Sequence, residues 1–194
     1  MAPLQRRVFH MVAASLFPTL FLFVPRTPLL VAAIALTVTV IAGEALRFKV
    51  PAVNRWLTRK VRVLMKEREH GVVFGSTYVL IATTVVIGVM DRSIAPLALF
   101  FLAFGDPAAA FIGERWGRHR FGKGTIEGSL AFLGAALAIG AVLLATRLDT
   151  TVPVMVVGVF TATIVEALPE WLDDNLTVPL AGGGAMALAA MAWG

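Results

Sequence analysis

The chain has few acids, and several stand within or beside apolar stretches: Asp106 deep inside one, and Glu127, Glu166, Asp173 and Asp174 near the ends of others, with Glu44 further upstream. An ionisable group within or bordering a membrane-length apolar run is expensive to keep, and by default it marks function. Near them in sequence lies a run of cations, Arg115, Arg118, Arg120 and Lys123. Carboxylates that hold Mg²⁺ beside Lys and Arg that neutralise phosphate oxygens would suit a metal-bound polyphosphate. Thr125 and Ser129 stand at the start of a helical stretch, whose N-terminal dipole favours anions. Each group also has a plain structural reading. Asp106 could hydrogen-bond between helices, and Thr125 with Glu127 could cap a helix and offset its dipole. Asp173-Asp174-Asn175 could be an N-cap, and the arginines could only set orientation. Gly105, Ala109, Gly113 and Gly117 recur every four residues, a small-residue seam for close helix contact within one chain or between copies in a homo-oligomer. That seam would also let a nucleotide approach the backbone.

The elements that must position these groups are membrane helices. Hydrophobic residues make up 58% of the 194 and charged ones 15%, against roughly 45–50% and ~25% in a soluble domain. Seven stretches are long and apolar enough to be read as spans: Val8–Val24, Pro28–Ala45, Val72–Met90, Ser93–Ile112, Gly128–Thr146, Val152–Leu168 and Leu176–Trp193. The last contains Gly182–Gly184 and is the weakest. Three links are turn-like (25–27, 91–92 and 147–150). The others, 46–71, 113–127 and 169–175, are longer and polar.

All the Lys and Arg except Arg26, Arg92 and Arg147 fall on the side of the longer links. The positive-inside rule makes that side cytoplasmic, with the N-terminus inside. The expectation is therefore an all-α polytopic membrane protein of about seven transmembrane helices, forming a single domain over 1–194. Segment 46–71 mixes Trp56, Leu57, Val61, Leu64 and Met65 with Arg55, Arg59, Lys60, Arg62, Lys66 and Arg68. It reads as an amphipathic cytoplasmic segment with a basic face, lying on anionic headgroups or assisting a phosphorylated substrate. Gln5-Arg6-Arg7-Val8-Phe9 is read as the start of an uncleaved first helix rather than an export signal. The short chain without added domains fits a prokaryotic plasma membrane.

Several chemistries are excluded or unsupported. Without Cys there are no disulfides, thiolate metal sites or cysteine nucleophiles. His10, His70 and His119 lack zinc-site spacing, and no G-x-S-x-G elbow occurs. The Gly122-Lys123 pair is read as lying outside a Walker A motif. No nucleic-acid partner is indicated. A small transporter would also explain intramembrane acids, but no inverted repeat is visible.

The block Gly105-Asp106-Pro107-Ala108-Ala109-Ala110-Phe111-Ile112-Gly113-Glu114-Arg115-Trp116-Gly117, followed by Lys123-Gly124-Thr125-Ile126-Glu127-Gly128-Ser129, resembles the signature of CTP-dependent lipid-alcohol kinases. That group comprises dolichol kinases, phytol kinases and CTP-dependent diacylglycerol kinases. Arg6-Arg7-Val8-Phe9-His10 is similar to the start of their first helix. Glu166-Ala167-Leu168-Pro169 with Asp173-Asp174-Asn175-Leu176-Thr177-Val178-Pro179-Leu180 resembles their C-terminal element, most like the phytol and polyprenol branch. Phosphatidate cytidylyltransferases share a related block, but this chain lacks their C-terminal element, and Gly124 interrupts their Lys-Thr pair.

The resemblance implies transfer of the CTP γ-phosphoryl group to a membrane lipid alcohol, phytol, polyprenol or dolichol before diacylglycerol, at the cytoplasmic face. It implies Asp106, Lys123, Glu127 and Asp174 as catalytic residues. Gly105, Gly113, Arg115, Gly117, Arg118, Arg120, Lys123, Thr125, Ser129 and Asn175 would bind nucleotide. Asp106, Glu127, Glu166, Asp173 and Asp174 would hold Mg²⁺.

Overall fold

The structure is a computed structural model, and it describes residues 4–61, 72–169 and 172–193. Among these residues the chain folds into eight helices and one small hairpin: α1 (Leu4–Phe23), α2 (Arg26–Lys49), α3 (Pro51–Val61), α4 (Gly75–Val89), α5 (Ala95–Trp116), β1 (Arg120–Phe121), β2 (Gly124–Thr125), α6 (Ile126–Thr146), α7 (Val152–Ala167) and α8 (Asp174–Trp193). Proline helps to set several starts. It precedes α2 as Pro25 and stands in the first turn of α5 and α7, where a missing N–H costs nothing. Four helices, α2, α5, α6 and α8, are long and apolar enough to cross a membrane; α4 and α7 are shorter apolar helices. Each of the seven expected spans falls on a helix. The expected cytoplasmic segment is helical only as α3, after α2 has run on to Lys49. Residues 62–71, with Arg62, Leu64, Met65, Lys66, Arg68 and His70, lie outside the described residues.

α5 is the central helix. Its run Leu97–Ala103 is continuously buried, in contact with a core that includes Phe21, Ile87, Phe132, Met155 and Met186. Many residues elsewhere on α1, α2 and α6 expose large apolar side chains, such as Val12, Val31, Val38 and Leu130. That is the pattern of helices whose outer surface meets lipid rather than water. α2 is tied to α4 by polar contacts: Thr37 Oγ1 donates to Leu80 O at 3.2 Å and lies 2.8 Å from Thr84 Oγ1. The triple glycine does not break α8. A Cβ on Gly183 would sit 2.3 Å from Met90 Sδ, so the missing side chain lets α8 lie directly against its neighbours.

The helices alternate in direction and gather the chain's polar groups at two ends. At one end the start of α1 meets the end of α5 through Arg7 and Glu114, and the hairpin meets α7 and α8. At the other end Arg26 donates to Met90 O, Arg26 and Arg92 pack on the Phe21 ring, and Arg147 packs on Phe23. The three exceptional arginines of the sequence thus share one end of the bundle.

Candidate active site

The site is built from helix termini, at the same end as the starts of α1, α6 and α8. α5 delivers Asp106 and, two turns later, Glu114. The chain then leaves the helix through Gly117 and turns back in the β1–β2 hairpin, with Arg120 opposite Thr125 and Phe121 opposite Gly124. Gly117 has no room for a side chain, since a Cβ there would lie 2.3 Å from Gly113 O and 2.6 Å from Thr125 Cγ2. At the hairpin tip Gly122 has φ 54°, a conformation that favours glycine. A Cβ on it would stand 1.8 Å from Ala167 O. The same carbonyl accepts the Lys123 backbone N–H at 3.1 Å. The tip is therefore seated on the end of α7, and from there the Lys123 ammonium reaches Asp174 at the start of α8.

Thr125 caps α6, its Oγ1 accepting from Gly128 N at 3.1 Å. Around these elements opens a cavity of about 850 Å³. Its wall carries four carboxylates (Asp106, Glu114, Glu166, Asp174) and three cations (Arg118, Arg120, Lys123). Small residues of the α5–α6 seam, Ala109, Gly113 and Gly128 among them, also line it. This size lies in the range of small-molecule sites, roughly 300–1,000 Å³. Mixed charge over small side chains suits a polyanion that approaches with a metal ion.

Comparison with known proteins agrees with this chemistry. The chain is 39% identical to the phytol kinase of Synechocystis sp. over 93 residues, 44% of this chain and 40% of that protein. It is 28% identical to CTP-dependent diacylglycerol kinase 1 of Schizosaccharomyces pombe over 153 residues, 71% of this chain and 70% of that protein. Two of the proteins that the chain resembles are thus named as lipid kinases. The uncharacterized protein RP860 of Rickettsia prowazekii is 24% identical over 182 residues, 91% of this chain and 89% of that protein. The match to the phytol kinase spans about 40% of that relative's length. No family model and no solved structure matches.

Ten of the expected site residues line the cavity: Asp106, Gly113, Gly117, Arg118, Arg120, Lys123, Thr125, Ser129, Glu166 and Asp174. Five others stand outside that lining. Gly105 packs under Phe132, where a Cβ would lie 2.5 Å from the ring. Arg115 stacks on Trp116, its Cζ 5.3 Å from the ring centre. Glu127 accepts from the His119 backbone N–H at 3.3 Å and contacts His119 Nδ1 at 2.8 Å, bracing the hairpin's entry. Asp173 accepts from Asn175 N at 3.0 Å and from Asn175 Nδ2 at 2.6 Å, which closes the turn into α8 and leaves Asn175 buried.

The expected five-carboxylate metal set does not gather. Among the described residues no three His, Asp or Glu side chains are grouped so as to hold a metal ion. Glu127 and Asp173 are engaged by neighbours in sequence, while Asp106, Glu166 and Asp174 share the cavity wall.

Gly117 does stand at the P-loop distance before Gly122-Lys123, but Gly124 replaces the Ser or Thr that would follow. The segment is a hairpin after a helix, and the Lys123 N–H is bonded to Ala167 instead of facing a phosphate. Glu114 was unassigned in the sequence, although it stands inside the signature block. Its partner Arg7 belongs to the basic start of α1, and its place beside α5 follows only from the tertiary packing.

Proposed function

We propose that this chain transfers the γ-phosphoryl group of CTP to the hydroxyl of a membrane lipid alcohol, an isoprenoid alcohol in the first instance, giving a lipid monophosphate and CDP. The observation that carries this reading is the cavity in which Arg118, Arg120 and Lys123 face Asp106, Glu166 and Asp174 at one end of an apolar bundle. A lipid alcohol is confined to the bilayer and CTP to water, so the two can meet only at such an end. The relatives named as lipid kinases support the reaction class, and the 39% match to a phytol kinase supports the isoprenoid acceptor.

Phosphoryl transfer asks for alignment and charge neutralisation. Lys123, Arg118 and Arg120 hold the phosphates, with Thr125 and Ser129 at the dipole-positive start of α6. The donor set suits Mg²⁺, which takes one or two protein carboxylates and completes its shell with phosphate and water. Asp106 and Glu166 would supply them. The ion, when bound, would neutralise charge on the transferring group. As the hydroxyl oxygen bonds to the γ-phosphorus and the bond to CDP breaks, the hydroxyl proton passes to a carboxylate, which we assign to Asp174. Glu127 supports the hairpin through His119. In this reading all seven helices that carry an expected span, α1, α2 and α4 to α8, cross the membrane, and the cavity end faces the cytoplasm of a prokaryotic cell. α3 lies on the same side with its basic residues outward.

Purified protein in lipid with Mg²⁺, γ-labelled CTP and a panel of alcohols tests the reading. Label should move to a prenol. A second acceptor, diacylglycerol, is favoured by the longer alignment with the S. pombe kinase. Label on diacylglycerol alone would keep the chemistry and replace the substrate. Pyrophosphate released with phosphatidate, and no labelled lipid, would replace the reaction with cytidylyl transfer.

A further inference from the structure

α1 contributes no residue to the cavity wall, yet two of its side chains reach acids that do. His10 Nε2 lies 3.8 Å from Asp106 Oδ2, one helix turn after Arg7 pairs with Glu114. The Arg7 guanidinium is held from a second side by Phe111, its Cζ 5.9 Å from the ring centre. It is well covered, with 12% of its side chain exposed against 36% for Glu114. The carboxylate therefore faces the cavity, and the cation stands behind it.

This arrangement has an electrostatic consequence. A cavity meant for a triphosphate gains nothing from a carboxylate left uncompensated on its wall. In a partly desolvated site its repulsion of the phosphates would be strong. With the guanidinium bonded to it, the pair carries no net charge.

We propose that Arg7 is a positioning residue for nucleotide binding. It acts through Glu114, cancelling that carboxylate's charge where it faces the cavity. α1 then serves as an electrostatic backing for the site, outside the signature block of α5, the hairpin and α6. The inference rests on the CTP reading proposed above.

The test is a double-mutant cycle on the full chain in nanodiscs, with Mg²⁺·CTP as the probe. Arg7→Gln should raise KM for CTP roughly 5–20-fold, the expected scale for one uncompensated charge near a polyanion. It should leave kcat and the lipid KM within about twofold. Arg7→Gln combined with Glu114→Gln should return KM for CTP to near the wild-type value, because the second change removes the charge that the first exposed. Arg7→Lys keeps the charge and should fall within about threefold of wild type, which serves if Arg7→Gln does not fold.

Failure of the double variant to recover would overturn the proposal and make Arg7 either a direct phosphate ligand or a packing residue. An unchanged KM in Arg7→Gln would overturn it too. Equilibrium binding of labelled CTP separates this from the reading it rests on. If wild type binds CTP without transferring phosphate, the kinase reading fails, while the same loss and recovery in Kd would still support the role of Arg7.

Discussion

Two charged clusters lie at the same end of the bundle and are built in opposite ways. One is the cavity. The other joins α2, α3 and α4 around Arg47, whose side chain is fully buried, and Glu44, which is 7% exposed. Arg47 Nε donates to Glu44 at 2.8 Å, and its remaining nitrogens reach Asn54 and the Val72 carbonyl. The guanidinium lies between the Phe48 and Phe74 rings, at 4.2 and 3.9 Å from their centres. Glu44 in turn accepts from the Phe74 backbone N–H at 3.0 Å and from Thr77 Oγ1 at 3.1 Å. Every charge there is answered inside the protein, and nothing is left for a ligand. In the cavity, carboxylates and cations share an open wall. An acid near a membrane surface therefore says little by itself. What separates a fastening from a site is whether the charges are enclosed by protein or line an open cavity.

The sharpest way to break this comparison is to remove charge from both clusters and ask what is lost. Lys123→Ala should lower kcat/KM with CTP roughly 10³-fold or more, the scale of a cation placed on a transferring phosphoryl group. Asp106→Asn should act in the same direction. Both proteins should insert and melt close to wild type, as steady-state kinetics and thermal unfolding in detergent would report; near-wild-type turnover in either would remove the cavity as the active site.

Arg47→Ala should reverse that pattern. Leaving Glu44 buried without its partner costs about 3–5 kcal/mol, so the melting temperature falls while KM for CTP in the remaining folded protein holds. A catalytic loss with unchanged stability would show that the two clusters are not distinct in kind. Gly122→Ala should have the smallest effect of these four variants. The left-handed backbone costs a side chain roughly 1–2 kcal/mol, and the tip must also lift from Ala167 O. The loss in kcat/KM should be about 10–100-fold, appearing mainly as a raised KM for CTP. An unaffected KM would mean that the seating of the hairpin does not place Lys123.

How far the sequence could be read follows the same division. Helix positions were legible because unbroken apolar runs leave the backbone no other way to satisfy its hydrogen bonds in lipid. The cavity residues from α5, the hairpin and α6 were legible because they lie close together in the chain. Asp174 and Glu166 came from resemblance in the C-terminal element. Glu44 and Arg47 misled for a physical reason. Arg47 reads as one more cation in a basic segment, but α2 continues beyond the expected end of its span and folds that arginine inward. Arg7 with Glu114 is a contact across 107 positions, and no local pattern announces it. Glu127, Asp173 and Asn175 have the right types and positions for a site. What sequence could not tell is that each finds a partner a few residues away.

The cavity's place at a single end also gives the molecule a sidedness. A charged nucleotide does not cross a sealed bilayer, so a chain inserted backwards in a vesicle would be silent without being damaged. Activity measured on closed vesicles would count only the copies whose cavity faces the added nucleotide. Opening the vesicles with mild detergent would reveal the latent remainder.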